Sequence, residues 1–515
     1  MNPMKMYGHL VAVLVLVVLF FSVQSCAKDR AASEDQVVDP LPDSIVNTVL
    51  SPIPMDKFIG ANGIHEDDLD WMEPIGTLRA YCNWDWFQGD SPENELIFQN
   101  SRSGWYFDDV FKRIKSKGIS IVMCFQGAPK GLQGGDDFKF SDKPIDAPGL
   151  STTDPHSYRK VSEMLYQIAA RYGKAKVDVD ALTSDDKLSG LGLIDYIEVG
   201  NEPDKDWEGE DAEFSPEEYA AMLSICYDRI KEADPEMKVA MAGLATLSTE
   251  YVERMRDWFV ENRPDKKFAA DAVNVHIYAF NNKIVWGKTW PLFGPSETPE
   301  DALFKKKSAE LVNFCRTHIP NSEVWISEFG WDTNAESVLS PKPISGISLE
   351  ETQARWLIRG YLEFAAAGIS QAHMFMLVDP SQNYISTQFG TSGLLDRTLA
   401  FSKKTSWYYV HQFRDALTGL YFVGEEKSDN PDLRIYKFID PETKIGCYAV
   451  WMATSTNATE KAFVLPLDAG ATEATLIQLR SDDKSPSADK LSINNNSVTV
   501  DVSEKPIFIS VNKID

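Results

Sequence analysis

Ile197-Glu198-Val199-Gly200-Asn201-Glu202-Pro203 is the stretch on which the fold turns. The apolar run that leads into it (Leu193, Ile194, Tyr196, Ile197, Val199) reads as a buried strand. Pro203 has no N–H to give to a sheet ladder, so the strand ends before it and leaves Glu202 at its C-terminal rim. In parallel barrels that rim is where the chemistry is carried. A second apolar run, Val324-Trp325-Ile326-Ser327-Glu328-Phe329-Gly330-Trp331, delivers Glu328 to the end of another predicted strand.

The same strand–helix alternation runs outward from both. Phe58-Ile59-Gly60-Ala61-Asn62, Thr77-Leu78-Arg79-Ala80-Tyr81 and residues 119–125 predict three strands before the one carrying Glu202, the third closed by Gly127 and Pro129. Val110 and Ile114 mark a short helix between the second and third, and Val161, Met164, Leu165 and Ile168 a helix over 158–172. After Glu202, Ser215, Pro216 and Glu218 spell a capping box with proline at the first helical position. Tyr219, Met222, Leu223, Cys226 and Ile230 then line one face. Further strands are predicted at 238–242, 272–278, 324–329 and 371–378. Helices are predicted over Leu303, Leu311 and Phe314, from a second capping box at Ser348 and Glu351, and over 406–417. Eight strands with interposed helices predict an α/β chain folded as a TIM (β/α)8 barrel. The alternative is a doubly wound open sheet, which no Gly-rich phosphate loop supports. From about Tyr421 short alternating runs (Leu433 with Ile435, Tyr448 with Val450, Val498 with Val500 and Val502) predict a small C-terminal antiparallel β-sandwich. No aromatic-rich face is visible in it, so it reads as a buttress rather than a binding module. The chain thus divides into a leader (1–25), a tether (26–51), the barrel (52–418) and the sandwich (419–515).

With 515 residues, 43% hydrophobic and 25% charged, the chain has material for a barrel and a second module. Its 51 basic residues against 77 acidic ones give a net charge of −26. That balance repels phosphate backbones and anionic lipid, so no nucleic acid partner is expected and a neutral substrate suits it best. Lys5, the apolar run 10–21 and Ser25 read as an export signal, the run being shorter than the ~20 residues of a spanning helix. Val23-Gln24-Ser25-Cys26 resembles a bacterial lipobox, which implies cleavage before Cys26 and a lipid on its sulfur, although Gln24 replaces the usual small or apolar residue. An ordinary secretory signal is the alternative. Either way the expected location is outside the cytoplasm, on or in a bacterial cell envelope. Residues 27–42, polar and acidic, read as a flexible tether. Cys82, Cys124, Cys226, Cys315 and Cys447 have no CxxC spacing and sit in apolar stretches, as buried free thiols do; one disulfide is the alternative and a metal site is not expected.

Asn201-Glu202-Pro203 after its strand, taken with the Glu328 strand, resembles the motifs of the clan A retaining glycoside hydrolases. The resemblance spans about 52–417 and is specific to the clan, not to one family in it. It implies Glu202 as acid/base, Glu328 as nucleophile and Asn201 as a partner of the sugar 2-OH. It also implies Arg79 as the cation that keeps the nucleophile ionised, Tyr278 as its hydrogen-bond donor, and His276, two residues earlier on the same strand face, as a member of their polar network. Retention requires two carboxyl groups about 5–5.5 Å apart, one protonated and one ionised. One departure stands out: the clan commonly has a Trp at the end of strand eight, whereas His373-Met374-Phe375-Met376-Leu377-Val378 has none. Phe375 or a loop aromatic is left to fill that place.

Of the 13 Trp residues, Trp84 and Trp86 follow the second strand, Trp207 follows Glu202, Trp286 and Trp290 follow the sixth strand, and Trp331 follows Glu328. All fall in loops at the predicted mouth, where flat rings suit the apolar CH faces of sugars and Asp85, Asp204, Asp206 and Asp332 suit hydroxyls. Packing of the loops themselves explains such residues equally well. The expectation is an exported retaining β-glycoside hydrolase acting on a neutral β-linked oligo- or polysaccharide, with no cofactor implied. A non-catalytic glycan-binding surface lipoprotein is the main rival. A metal-dependent hydrolase fits poorly with seven His and no His-x-His, and His65-Glu66-Asp67-Asp68 reads as a solvated loop. An inverting enzyme is a further alternative, separable by the anomer of the product.

Overall fold

The computed structural model describes residues 53–63, 68–133, 138–280, 282–285, 288–291, 295–380 and 388–514, with no side chains between 281 and 294. The leader, the whole tether with Cys26, His65 to Asp67 and Trp286 lie outside the described residues.

Eight parallel strands close into a barrel in sequence order. They are β1 Ile59–Gly63, β2 Thr77–Asn83, β3 Ser120–Gln126, β4 Tyr196–Val199, β5 Lys238–Met241, β6 Ala272–His276, β7 Glu323–Phe329 and β8 Gln371–Met374. Helices α1 Phe107–Ser116, α2 Arg159–Tyr172, α3 Pro216–Ala233, α4 Thr249–Asn262, α5 Phe304–His318 and α6 Leu349–Ala367 fall between successive strands from β2 on, and α7 Thr405–Ala416 follows β8. The strands are buried on both faces, which is why they read as near-continuous apolar runs.

The two predicted capping boxes come out differently. At α3, Ser215 Oγ accepts the Glu218 N–H and the Glu218 carboxylate accepts the Ser215 N–H, closing the box. At α6, Ser348 Oγ accepts the Glu351 N–H, but the Glu351 carboxylate turns to Arg355 at 2.7 Å and Tyr409 at 2.8 Å. A cation and a phenol outcompete one backbone amide, so that box is half formed. The eighth strand is also shorter than predicted. The register shifts between Ala372 and Met374, and past Met374 the N–H groups of Phe375 and Leu377 bond singly to Phe329 and Asn62 carbonyls.

Inside the barrel, Val122, Ala240, Ala272 and Trp325, backed by Tyr196, form an apolar plug. The barrel interior also holds fully buried polar groups, among them Asn62, Arg79, Glu198, Asn274, Ser327 and His373. Arg79 donates to Asn62 and Glu198, and Asn274 donates to Glu198, so these buried groups form one bonded cluster beneath the mouth.

The C-terminal strands are β9 Tyr421–Glu425, β10 Leu433–Ile439, β11 Gly446–Met452, β12 Thr459–Pro466, β13 Ala474–Gln478, β14 Ser487–Leu491, β15 Ser497–Ser503 and β16 Ile507–Val511. They form a six-stranded antiparallel sheet, β9-β10-β11-β16-β13-β14, and a two-stranded one, β12-β15. The period-2 alternation of β10 and β11 serves two cores at once. Leu433, Ile435, Tyr448 and Val450 meet Val498, Val500 and Val502 of β15 inside the sandwich. Tyr436, Phe438, Cys447 and Trp451, with Phe422 and Phe508, join the core of the barrel helices instead. The sheet therefore does have an aromatic-rich face, contrary to the sequence reading, and that face is buried against the barrel. Phe508, for example, lies 5.7 Å from Phe413 of α7. All five described cysteines are free and buried. No helix among the described residues is long and apolar enough to cross a membrane.

Candidate active site

β4 ends at Val199, and the next residues turn sharply. Gly200 has φ 95° and Glu202 has φ 47°, a left-handed conformation that costs a side-chain-bearing residue on the order of 1 kcal/mol. The Glu202 N–H, bonded to the Gly243 carbonyl at 2.9 Å, fixes that turn. Glu202 Oε1 stands 3.0 Å from His276 Nδ1, and its side chain remains 24% exposed.

Glu328, the sixth residue of β7, is nearly buried. Its Oε1 accepts from Arg79 Nη1 at 2.8 Å and Tyr81 OH at 2.6 Å, and its Oε2 accepts from Tyr278 OH at 2.9 Å. His276 Nε2 lies 3.5 Å from Oε1. Burial alone would raise the Glu328 carboxyl. The charges of His276 and Arg79 and the bonds from both tyrosines outweigh it, holding the group below the usual carboxylate range. For His276 burial opposes protonation, but the Glu328 charge and the Glu202 bond prevail, so its pKa is raised. His373, by contrast, is pushed down to about 3 by burial and by the Arg79 charge, and is neutral.

Arg79 organises the floor of the site. It holds Glu198 with Nε at 2.6 Å and Nη2 at 2.9 Å, and it donates to Asn62 Oδ1 at 2.8 Å and Asn201 Oδ1 at 2.7 Å. One guanidinium thus ties β1, β2, β4 and β7 together and orients Asn201 beside Glu202. It is the third of seven residues in β2, inside the strand rather than at its end. Tyr278 lies two residues past the end of β6.

One carboxylate oxygen each of Glu202 and Glu328 and a ring nitrogen of His276 lie within 4.8 Å of one another. Three such donors are also a conceivable cation site. Here, however, both Glu328 oxygens already accept hydrogen bonds, and the buried Arg79 charge beside them disfavours a second cation. The arrangement suits proton transfer to and from a partly exposed carboxyl opposite a saturated, ionised one.

The structure therefore brings Glu202, Glu328, Asn201, Arg79, His276 and Tyr278 into one cluster. Tyr81, Glu198, Asn62 and Gly243 also belong to it and were missed. Tyr81 was within reach of sequence reasoning, because it stands two residues after Arg79 and so shares its strand face.

The loop aromatics divide. Trp84 is buried against Phe125, with its Nε1 bonded to Gln88 at 2.5 Å. Trp331 is buried among Phe304, Phe329 and Trp356, donating to the Glu297 carbonyl at 3.0 Å. Both were candidate sugar platforms with loop packing as the equal alternative, and both pack their loops. Asp332 is likewise spent, accepting from Ser337 Oγ, from the Phe389 N–H and from the Thr391 N–H. Asp204 accepts from the backbone of Ala245 and Thr246. Among the loop tryptophans whose side chains are described, Trp207 is the exposed one, at 55%. In the place of a strand-eight Trp, the rings of Phe375 and Tyr278 both pack on Phe389, at 5.3 and 5.0 Å.

No protein-family model matches the chain, and no curated protein matches it. Solved structures do. A family 39 glycoside hydrolase from the gut symbiont Bacteroides cellulosilyticus is similar with a TM-score of 0.60 at 14% identity, over 89% of this chain and 81% of that one. A glucosidase from Croceicoccus marinus is similar with a TM-score of 0.58 at 13% identity, over 90% and 98%. A GH30 endoxylanase from Clostridium papyrosolvens is similar with a TM-score of 0.57 at 13% identity, over 91% and 99%. At such identities the likeness is one of fold, and it covers both the barrel and the sheets that follow it.

Proposed function

We propose that the protein is a retaining glycoside hydrolase that cleaves a neutral β-linked oligo- or polysaccharide by double displacement. One observation carries the reading: oxygens of Glu202 and Glu328 lie within 4.8 Å of each other. That supports retention, because retaining pairs stand ~5–5.5 Å apart and inverting pairs ~6.5–9.5 Å.

In the first step a Glu328 oxygen attacks the anomeric carbon while Glu202 gives its proton to the departing glycosidic oxygen. The bond to the leaving group breaks, and a glycosyl ester on Glu328 forms. In the second step Glu202, now ionised, takes a proton from water, which displaces Glu328 and restores both groups. Tyr81, Tyr278 and Arg79 keep Glu328 ionised and aimed. Asn201, with its carbonyl held by Arg79, has its amide N–H groups left to meet the sugar 2-OH. The reaction as written calls for no cofactor.

An endoxylanase and a glucosidase share this fold, so the choice of sugar belongs to the loops. The test is reducing-sugar release from β-glucans, xylans, mannans and galactans by wild type, Glu202→Gln and Glu328→Gln, with the product anomer read by NMR. Cleavage of one polymer with retention, lost in both variants, is expected. Binding without cleavage, unchanged by either substitution, would favour the glycan-binding reading. From the leader sequence we further propose export and lipid attachment at Cys26. Labelling with a radioactive fatty acid, abolished by Cys26→Ala, tests it.

A further inference from the structure

Gly243, just past the end of β5, touches three parts of the site at once. Its carbonyl accepts the Glu202 N–H at 2.9 Å. Its own N–H donates at 2.9 Å to Glu198 Oε1, on the carboxylate that holds Arg79. Its third contact is a missing side chain: a Cβ there would stand 2.3 Å from His276 Nε2 and 2.6 Å from both His276 Cδ2 and Ser327 Oγ. Distances below 3.0 Å force something to move.

The backbone does not ask for glycine here. Gly243 is not among the residues with positive φ, so alanine would meet no conformational penalty, and space alone forbids it. Ser327 Oγ can rotate away. The His276 ring is fully buried, with its backbone N–H fixed to the Leu244 carbonyl at 2.7 Å. A methyl group on residue 243 therefore pushes the imidazole off its 3.0 Å contact with Glu202.

We propose that Gly243 is a positioning residue for the acid/base carboxyl: its bare Cα gives the His276 ring the space from which Nδ1 reaches Glu202, while its peptide groups hold the Glu202 turn and Glu198. This rests on the retaining-hydrolase reading. Gly243→Ala keeps both peptide groups and changes only the space, so it isolates displacement of the ring.

Because Glu202 acts on the leaving group, the defect depends on the leaving group. The test measures kcat/KM, which reports the first displacement, for aryl β-glycosides of graded leaving-group ability built on the sugar that wild type cuts. For Gly243→Ala, poor leaving groups lose on the order of 10²-fold, the scale of general acid catalysis. The 2,4-dinitrophenyl glycoside, which departs without a proton, loses much less, since only the longer 3.5 Å approach of His276 to Glu328 is disturbed in its reaction. Equal loss on all leaving groups marks a packing defect and overturns the proposal. If Gly243→Ala fails to fold, His276→Ala supplies the background: with the ring gone the methyl group has room, and adding Gly243→Ala costs nothing further. A further loss there overturns the proposal as well. Wild type that cuts no glycoside at all would instead sink the retaining-hydrolase reading itself.

Discussion

Two of the buried arginines, Arg359 and Arg79, anchor different parts of this molecule, and their surroundings differ in one respect. At the join between barrel and sandwich, Arg359 of α6 holds Glu300 at 2.9 and 2.5 Å and donates to the Thr454 carbonyl at 2.9 Å. Trp451 of β11 donates to the same Glu300 at 2.7 Å, and Tyr436 of β10 donates to Glu363 of α6 at 2.6 Å. Both Glu300 oxygens are used, and the cluster is sealed. At the barrel mouth Arg79 is just as buried, yet the cluster around it ends in Glu202, whose Oε2 has no hydrogen-bond partner among the described residues. A saturated cluster fastens two layers together; one that leaves a carboxyl oxygen open to solvent can still move a proton. The contrast predicts that substitutions at the mouth change rate with little change in stability, and that those at the join do the reverse.

The largest expected effect is on rate. In the proposed mechanism Glu328→Gln removes the attacking oxygen, and it should cost on the order of 10⁴-fold or more in kcat, with the melting temperature close to wild type. A large fall in stability with modest loss of rate would erase the contrast, because it would make the mouth cluster structural. The next effect is on stability. Arg359→Met leaves Glu300 buried without its cation and should cost roughly 3–5 kcal/mol in denaturant unfolding, while kcat of the folded fraction is unchanged.

The contrast also shows what the sequence could tell. Glu202, Glu328, His276 and Tyr278 were legible because each sits at or near a strand end, where alternation and a breaking residue such as Pro203 fix which way a side chain points, whereas Arg79, inside β2, was legible only through the resemblance to the clan. Glu198 and Asn62 were not, because their roles come from the register between strands, which aligns Asn62 of β1 with Arg79 of β2 and which no single strand's sequence shows. Gly243 was invisible for a different reason: what matters is the atom it lacks. The aromatic face of the six-stranded sheet was hidden by its spacing, since Tyr436 and Phe438 alternate with Ile435 and Ile439 and read as one half-buried strand. Nothing in a single strand's sequence shows that a helix layer covers its other side.

A third prediction sharpens the join through pH. The Glu363 carboxyl is raised to about 7, by burial first and then by the neighbouring Glu300 charge. Its folded pKa therefore lies above the ordinary carboxylate value, and between about pH 4.5 and 7 the folded chain holds a proton that the unfolded chain has released. Stability falls as pH rises through that window, by about 1–3 kcal/mol. Glu363→Gln should flatten this part of the wild-type curve; identical curves would mean that the join is indifferent to the proton. The mouth has the opposite sign. Tyr81→Phe removes a donor to Glu328, so the acid limb of kcat/KM should move to higher pH, while the stability curve barely changes.

The smallest expected effect separates the tryptophans. Trp331→Ala would empty a space walled by Phe304, Phe329 and Trp356 and should cost about 3–5 kcal/mol of stability. Trp207, on the short turn Asp206–Glu208 after the Glu202 strand, is 55% exposed and supports nothing comparable. Trp207→Ala should change stability by no more than about 0.5 kcal/mol. If its ring stacks on a distal sugar, the lost contact of about 0.5–1.5 kcal/mol raises KM for the polymer roughly 2- to 10-fold and leaves a single-sugar aryl glycoside untouched. An equal rise in KM for both substrates would place Trp207 at the reacting sugar. No rise for either would leave the glycan-facing surface to residues of the other loops.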